Sequence, residues 1–553
     1  MYTPRGRRAR FSIALRFLPS LLALACGAAL TDRVGTSRTA SQDDPVECCR
    51  EARGILGNRG SKPETMQLGA TKLLFLDGEV VEARENVAEG FHPARKMGPV
   101  LKPERPWEDP WIQIRTAPSW NPQKNVWMLW YFCAGGIAYA ESPDGLSWER
   151  PDLGIREFKG SRHNNLLPKS YEGEPETTWS GFCFAFYDRK ERDPGRRYKA
   201  LASYLFAPAG AATNPTGTPA NVAPSSGFYP AVSPDGLRWT TLKTSFIPSS
   251  DEAHLFYDDS SGLYAATVKH AGPYGRAVYL SLSSDFEHWS DPRDCLIFHA
   301  DMRDQEIGAA RIAEHLRRPD LMKPITNQPR AYRTDVYNLP VFNYEGMYVG
   351  LPTLFNQSGP WHLDPRNQDG FLSVELATSR DLLRWQRSAE RARFLPPSPV
   401  GGKTYDTGEL LAANAPIRIG NELWLYYSGL KSRSDPPPDD GAICLAKLRV
   451  DGFVSLDAGE REGQVLTRPL VPSGATLRVN LEAPRGQVWA EILDAASGRV
   501  LPGFSRRDCI PAEGDSLDAA VKWKGTNLSA LKGRRVRVRL GLRNARLYAL
   551  WAA

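Results

Sequence analysis

The stretch Ser142-Pro-Asp144-Gly-Leu-Ser-Trp148 decides the fold because it is not alone. The spacing S-x-D-x-x-x-W returns as Ser233-Asp235-Trp239, Ser283-Asp285-Trp289 and Ser379-Asp381-Trp385. Copies at one internal spacing mark a repeat, and a repeat fixes architecture before any local assignment does. The residues suit a tight turn between two strands. Ser and Asp side chains bond the turn's own backbone, Gly supplies positive φ in two copies, and Trp opens the return strand against a sheet face. Each copy also follows an apolar run, such as Ile137–Ala140 or Val278-Tyr-Leu-Ser-Leu, which separates it from a chance polar turn.

Around these turns the chain repeats one order of events: apolar strand, second strand, turn. Val126-Trp-Met-Leu-Trp-Tyr131, Tyr198–Tyr204, Leu263–Val268, Met347–Leu351 and Glu422–Tyr427 are the second-strand segments of five units. The fifth unit ends in Asp451-Gly-Phe453 where the Trp turn would stand. Units that cannot bury their faces alone, stacked radially, predict a five-bladed β-propeller over residues 69–456. The isolated strand Leu73–Leu76 is expected to complete the last blade, and residues 297–333 to form a loop or short helix on one face. From Gly463 onward, period-2 alternation, as in Arg535-Val-Arg-Val-Arg-Leu540, predicts a C-terminal β-sandwich over 457–553. The arginines of that run read as a solvated strand face. The fold class is therefore all-β.

The chain has 553 residues, too many for one core, and 10% aromatics with 15 Trp suit many strands and turns. Its net charge of +7 belongs largely to Arg5, Arg7, Arg8, Arg10 and Arg16; without them about +2 remains, which gives no reason to expect nucleic acid. Those arginines precede the apolar run Phe17–Cys26, too short to span a bilayer comfortably and ending in small residues. Residues 1–26 are expected to be a signal peptide, and Cys26 is the residue that would carry a lipid and tether the chain to a membrane. Residues 27–68 are polar and aperiodic and read as a disordered tether. The expected location is periplasmic, cell-surface or extracellular. Eight cysteines in so long a chain are no disulfide scaffold. Cys48-Cys49 reads as loop, and Cys133, Cys183 and Cys444 as small core residues. There is no C-x-x-C pair with zinc-ligand spacing.

The turns SPDGLSW (142–148) and SPDGLRW (233–239), with DPGRRYKALASY (193–204), TDVYNLPVFNYEGMYVG (334–350) and VDGFVSL (450–456), carry a resemblance. The chain resembles the five-bladed propeller glycosidase superfamily of arabinanases, levansucrases and invertases. Within it, the chain is most similar to an uncharacterised bacterial branch related to glycoside hydrolase family 32. The resemblance spans roughly residues 69–456. It implies a secreted glycosidase acting on a plant or algal oligo- or polysaccharide, with no cofactor, although some relatives hold a structural cation on the axis. The alternatives are a non-catalytic carbohydrate-binding propeller, or a glycoside phosphorylase, which would need a basic pocket near the acids.

Glycoside hydrolysis needs one protonated carboxyl at the leaving oxygen and one ionised carboxylate, and a propeller would present these at the starts of its inner strands. The candidates are Glu108 and Asp109 in blade one, Glu174 and Glu176 in blade two, Asp251 and Glu252 in blade three, Asp335 in blade four, and Asp406 with Glu409 in blade five. The resemblance implies a blade-one Asp as nucleophile or base, matched by Asp109-Pro110, and a blade-three Glu as acid, matched by Glu252-Ala-His254-Leu-Phe256. The blade-two Asp of the superfamily has no counterpart, and Asp335 is expected to take its part. Asp109, Glu252 and Asp335 are thus expected to meet at one funnel mouth, with Glu252 keeping a proton; Asp251 and Asp406 are the further catalytic candidates. Glu108, Trp107, Trp111, His254 and Tyr337 are expected to bind sugar, although Trp is also a default core residue and His254 equally suits a buried structural imidazole. Arg192-Asp193-Pro194 matches an invertase motif as a string but lies in a hairpin and reads as a turn.

Overall fold

The computed structural model describes residues 49–57, 65–172, 181–206, 225–365, 367–433, 437 and 439–553. The expected signal peptide, most of the expected tether, and Glu174 and Glu176 lie outside them. The structure is mostly β.

The repeated turn folds as its residues require. Ser142 Oγ accepts from the Asp144 and Gly145 amides, and Asp144 Oδ1 accepts from the Leu146 and Ser147 amides at 2.8 and 2.7 Å. Asp235, Asp285 and Asp381 accept from the two equivalent amides in their copies. Gly145 and Gly236 carry positive φ; where Gly is missing, Phe286 (φ 69°) and Leu382 (φ 66°) take the same left-handed conformation. Such a backbone is unfavourable for a bulky residue. The bonds of the turn and the burial of both side chains hold it there.

The turns join strands into successive antiparallel sheets. The first centres on Val126–Cys133, flanked by Gly136–Ser142 on one side and by Ile112–Gln113 and Ser119–Asn121 on the other. The second holds Gly181–Tyr187, Tyr198–Phe206 and Ser225–Ser233, and the third Ala253–Asp258, Leu263–Gly272, Gly275–Ser283 and Leu296–Phe298. The fourth unit forms two small sheets, Arg333–Asn338 with Thr353–Pro360 and Gln368–Val374, then Val341–Tyr344 with Met347–Gly350 and Ala377–Ser379. Pro340 and Pro352 lie at the breaks, where a ladder loses its amide donor. The fifth sheet holds Glu409–Ala412, Glu422–Leu430 and Gly441–Arg449.

Each sheet packs on the next, and the fifth returns onto the first. Separate apolar clusters fill the gaps. Met128 and Trp130 meet Tyr198 and Trp239 of the second sheet, while Leu129 and Tyr131 on the opposite face meet Tyr426 and Leu445 of the fifth. Burial of both faces explains why these strands read as continuous apolar runs.

The structure departs from some expectations and agrees with others. The strand that completes the fifth sheet is Arg95–Leu101, paired with Gly441–Arg449, whereas Leu73–Leu74 pairs with Ala549 and Leu550. The C-terminal strands form one twelve-stranded hydrogen-bonded sheet that also takes four short strands from residues 66–91. Its spine, Leu477–Asp494, pairs along its first part with Ala545–Ala552 and along its second with Val536–Arg543, with an irregularity between Ala483 and Gln487. Within the stretch read as a tether, Arg50–Leu56 is a helix, and Cys49, read as loop, is disulfide-bonded to Cys295 beside the third sheet. The insertion carries a sixteen-residue helix, Met302–Arg317, closed by an Asp301/Asp304 capping box and packed on the fourth sheet. Asp193 caps the short turn Pro194–Arg196, as a hairpin residue does. Arg537 and Arg539 pair with Glu82 and Glu491 on the strand face.

Candidate active site

Polar side chains tie several of the sheets to one another. Asn414, after the inner strand of the fifth sheet, accepts from the Ala117 amide of the first unit at 2.8 Å and donates to the Leu255 carbonyl of the third at 2.9 Å. Thr116 donates to the Ala185 carbonyl of the second sheet, and Thr267 to the Leu339 carbonyl of the fourth.

Around these ties lies a cluster of buried acids, each facing a cation. Glu252, just before the strand Ala253–Asp258, pairs with the Arg115 guanidinium and accepts from Asn338 Nδ2 at 3.0 Å. Asp251 accepts from Lys269 Nζ at 2.6 Å. Asp335 accepts from the Arg276 guanidinium at 2.9 Å and from the Arg276 amide at 3.1 Å. Glu409 pairs with Arg433 at 2.6 Å. Tyr337 sits among them, with Lys269 Nζ 3.7 Å from its ring centre.

The neighbouring acids Asp251 and Glu252 differ electrostatically. Burial pushes the Asp251 carboxyl up, more strongly than Lys269 pulls it down. Burial works against the Glu252 charge too, but Arg115 and then Lys269 outweigh it and hold Glu252 at about 2. The proton expected on Glu252 is therefore absent near neutral pH, because the guanidinium beside it stabilises the anion. Burial holds His254 neutral, at about 3, and neither of its ring nitrogens has a hydrogen-bond partner among the described residues. Its ring lies 4.9 Å from Phe184.

Asp251, Glu252, His254, Asp335 and Tyr337 thus come together. Asp109 stands in the first unit: it is exposed, makes no ion pair among the described residues, and precedes Pro110, whose carbonyl accepts from the Asp440 amide at 2.7 Å. Asp440 is itself buried, which pushes its carboxyl to about 7, with Glu409 adding to the rise.

Four expected residues stand elsewhere. Asp406 pairs with Lys96 at 2.5 Å and accepts from the Tyr427 hydroxyl, between the fifth sheet and its completing strand. Glu108 is fully buried and accepts from the Tyr131 hydroxyl, the Arg150 guanidinium and the Glu104 and Arg105 amides, the partners of a structural anchor. Trp107 donates to Asn165 and packs edge-on against Phe158. Trp111 is buried and bridges Gly441 of the fifth sheet. The sequence reading missed Arg115, Lys269, Arg276, Asn338, Asn414, Arg433 and Asp440. None stands at the start of the first strand of its sheet, where acids were sought, and a lone Arg or Lys carries no local sign of an acid partner far along the chain. Among the described residues, no group of three or more His, Cys, Asp and Glu side chains is placed to hold a metal ion.

No family model matches the chain, and no curated protein does. Among solved structures it is similar to an N-acetylgalactosamine deacetylase from F. plautii in complex with blood group B trisaccharide, at 14% identity and a TM-score of 0.37, over 66% of this chain and 96% of that one. It is also similar to an endo-arabinase from Bacteroides thetaiotaomicron, at 13% identity and a TM-score of 0.33, over 64% and 96%. A GH32 beta-fructofuranosidase from Bombyx mori is similar at 11% identity and a TM-score of 0.37, over 92% and 99%. At these identities and TM-scores, the activity has to be argued from the site itself.

Proposed function

We propose that the chain is a glycoside hydrolase built on a five-bladed β-propeller, with a β-sandwich around the Leu477–Asp494 strand. The ring of sheet contacts and the completion of the fifth sheet by Arg95–Leu101 support the propeller. The observation that carries the activity is the pair Asp251 and Glu252: adjacent buried carboxyls, one driven up by burial and the other held down by a guanidinium. Carboxyls pushed apart in this way are how one site supplies both an acid and an anion.

In this reading Asp251 gives its proton to the leaving glycosidic oxygen. Asp109, exposed and without a cation partner among the described residues, is the carboxylate that acts on the anomeric carbon directly or through water. Glu252 and Asp335, fixed by Arg115 and Arg276, hold the charge and geometry around them. The carbohydrate enters where Tyr337 keeps some exposure. The protein works outside the cytoplasm after removal of residues 1–26, or tethered through Cys26. The Cys49–Cys295 disulfide supports this, since such bonds persist in oxidising compartments.

The test is a glycan panel read by reducing-end release. On a substrate the parent cleaves, Asp251→Asn keeps the shape and removes the transferable proton, so turnover falls by about 10²–10⁴-fold. Near-full turnover in that variant rejects the assignment. Neutralisation of each buried acid by a cation favours a second reading, a carbohydrate-binding propeller; it would bind members of the same panel and cleave none.

A further inference from the structure

Three cations crowd one phenol ring. Lys269 Nζ lies 3.7 Å from the Tyr337 ring centre and the Arg276 guanidinium 5.7 Å from it, while Arg433 interacts electrostatically with Tyr337. Arg276 and Arg433 also flank Phe355, at 5.5 and 4.7 Å from its centre. They come from distant chain positions, Lys269 and Arg276 from the third sheet and Arg433 from the loop after Glu422–Leu430, so only the fold brings them together. Each has its own acid, but the cations still repel one another: Arg433 weakens the proton affinity of Arg276, and Arg276 that of Lys269. The side chains of Arg276 and Arg433 keep 15% and 14% exposure, so the cluster is open on one side.

We infer that Lys269, Arg276 and Arg433 form an oxyanion subsite beside Tyr337, which takes a carboxylate, sulfate or phosphate group next to the proposed proton donor. An anion shared by three cations relieves their mutual repulsion. Arg presents paired donors to planar or tetrahedral oxyanions, and Lys adds a point charge. Lys269 bonds Asp251, so the bound anion lies one side chain from the carboxyl that protonates the leaving group. The inference rests on the glycosidase reading of this site and narrows it. The anion is either carried by the glycan, as a uronate or sulfated sugar, or is free inorganic phosphate. In the second case a phosphate oxygen bonds the anomeric carbon, the glycosidic C–O bond breaks, and the leaving oxygen takes the proton from Asp251.

Calorimetric titration of the full chain with inorganic phosphate, sulfate and glucuronate, at low salt and without a glycosidic substrate, tests the subsite apart from bond cleavage. At least one anion is expected to bind at ~1 mM or tighter. Arg433→Gln is expected to weaken it by about tenfold or more, the loss of one charged hydrogen bond, and Arg433→Lys to keep most of the affinity. Two results overturn the inference: no binding of any of the three by the parent protein at about 50 mM, a level well above such a dissociation constant, or unchanged affinity in a folded Arg433→Gln variant. The two sources separate on the glycan panel. Acidic glycans cleaved in preference to neutral ones identify the glycan's own anion, and phosphate-dependent release of a sugar 1-phosphate identifies free phosphate. Anion binding without cleavage of any glycan keeps the subsite and rejects the hydrolase reading.

Discussion

Replacing Arg115 by Met removes the larger of the two cationic influences on Glu252, leaving Lys269, and leaves a buried carboxyl with Asn338 as its remaining hydrogen-bond partner. Glu252 is held at about 2 against an ordinary 4.5. That shift is the balance of burial against Arg115, Lys269 and Asn338, so the loss is taken from what removing one partner of a buried pair costs, ~3–5 kcal/mol. The sign follows from the direction. A depressed carboxyl stabilises the fold above pH 4.5, and the contribution is lost as pH falls toward about 2. Arg115→Met is therefore expected to lose about 3–5 kcal/mol at pH 7 and progressively less as pH falls through that window. The assay is denaturant unfolding followed by circular dichroism, on Arg115→Met, Glu252→Met and the double variant. The double variant removes the stranded charge and is expected to regain most of the loss. A coupling energy below about 0.5 kcal/mol in this cycle, the level of an exposed ion pair, refutes the claim that Arg115 is the larger influence on the state of Glu252.

Three further outcomes are expected. His254 stays neutral down to about 3 while its unfolded counterpart protonates near 6.5, so it lowers stability as pH falls between those values, by up to ~1.4 kcal/mol per unit; His254→Phe should remove that slope, and an unchanged acid limb would show that the imidazole takes up a proton without penalty. The double variant Cys49→Ser/Cys295→Ser opens a link across 246 residues and should lose about 2–4 kcal/mol, an effect that dithiothreitol reproduces on the parent protein; a melting temperature indifferent to both would mean the bond does not close in solution. Asp109→Asn touches an exposed side chain, so stability should stay within about 0.5 kcal/mol while turnover collapses, and a variant that is both stable and fully active removes Asp109 from the mechanism.

The repeat was legible in the sequence because the turn's bonds are local. Ser142 and Asp144 bond amides no more than three residues away, so a short string carries the whole turn, and the apolar runs beside it announce strands buried on both faces. The placement of acids at strand starts was legible for the same reason: Asp251, Glu252 and Asp335 stand at or beside the residues that open their strands. What each acid does was not legible. Glu252 owes its ionised state chiefly to Arg115, 137 residues away, and nothing in Glu252-Ala-His254 distinguishes a paired carboxylate from a protonated one. Asp406 looked equivalent from its position ahead of a strand, yet Lys96 draws it to the far side of the fifth sheet's last pairing. The closing strand was misassigned because Leu73–Leu76 and Arg95–Leu101 both suit an edge, and the choice between edges depends on the tertiary register of Gly441–Arg449. Turn chemistry acts over a few residues and can be read along the chain; charge and strand partnership act through space, and only the closed ring of sheets decides which side chains share it.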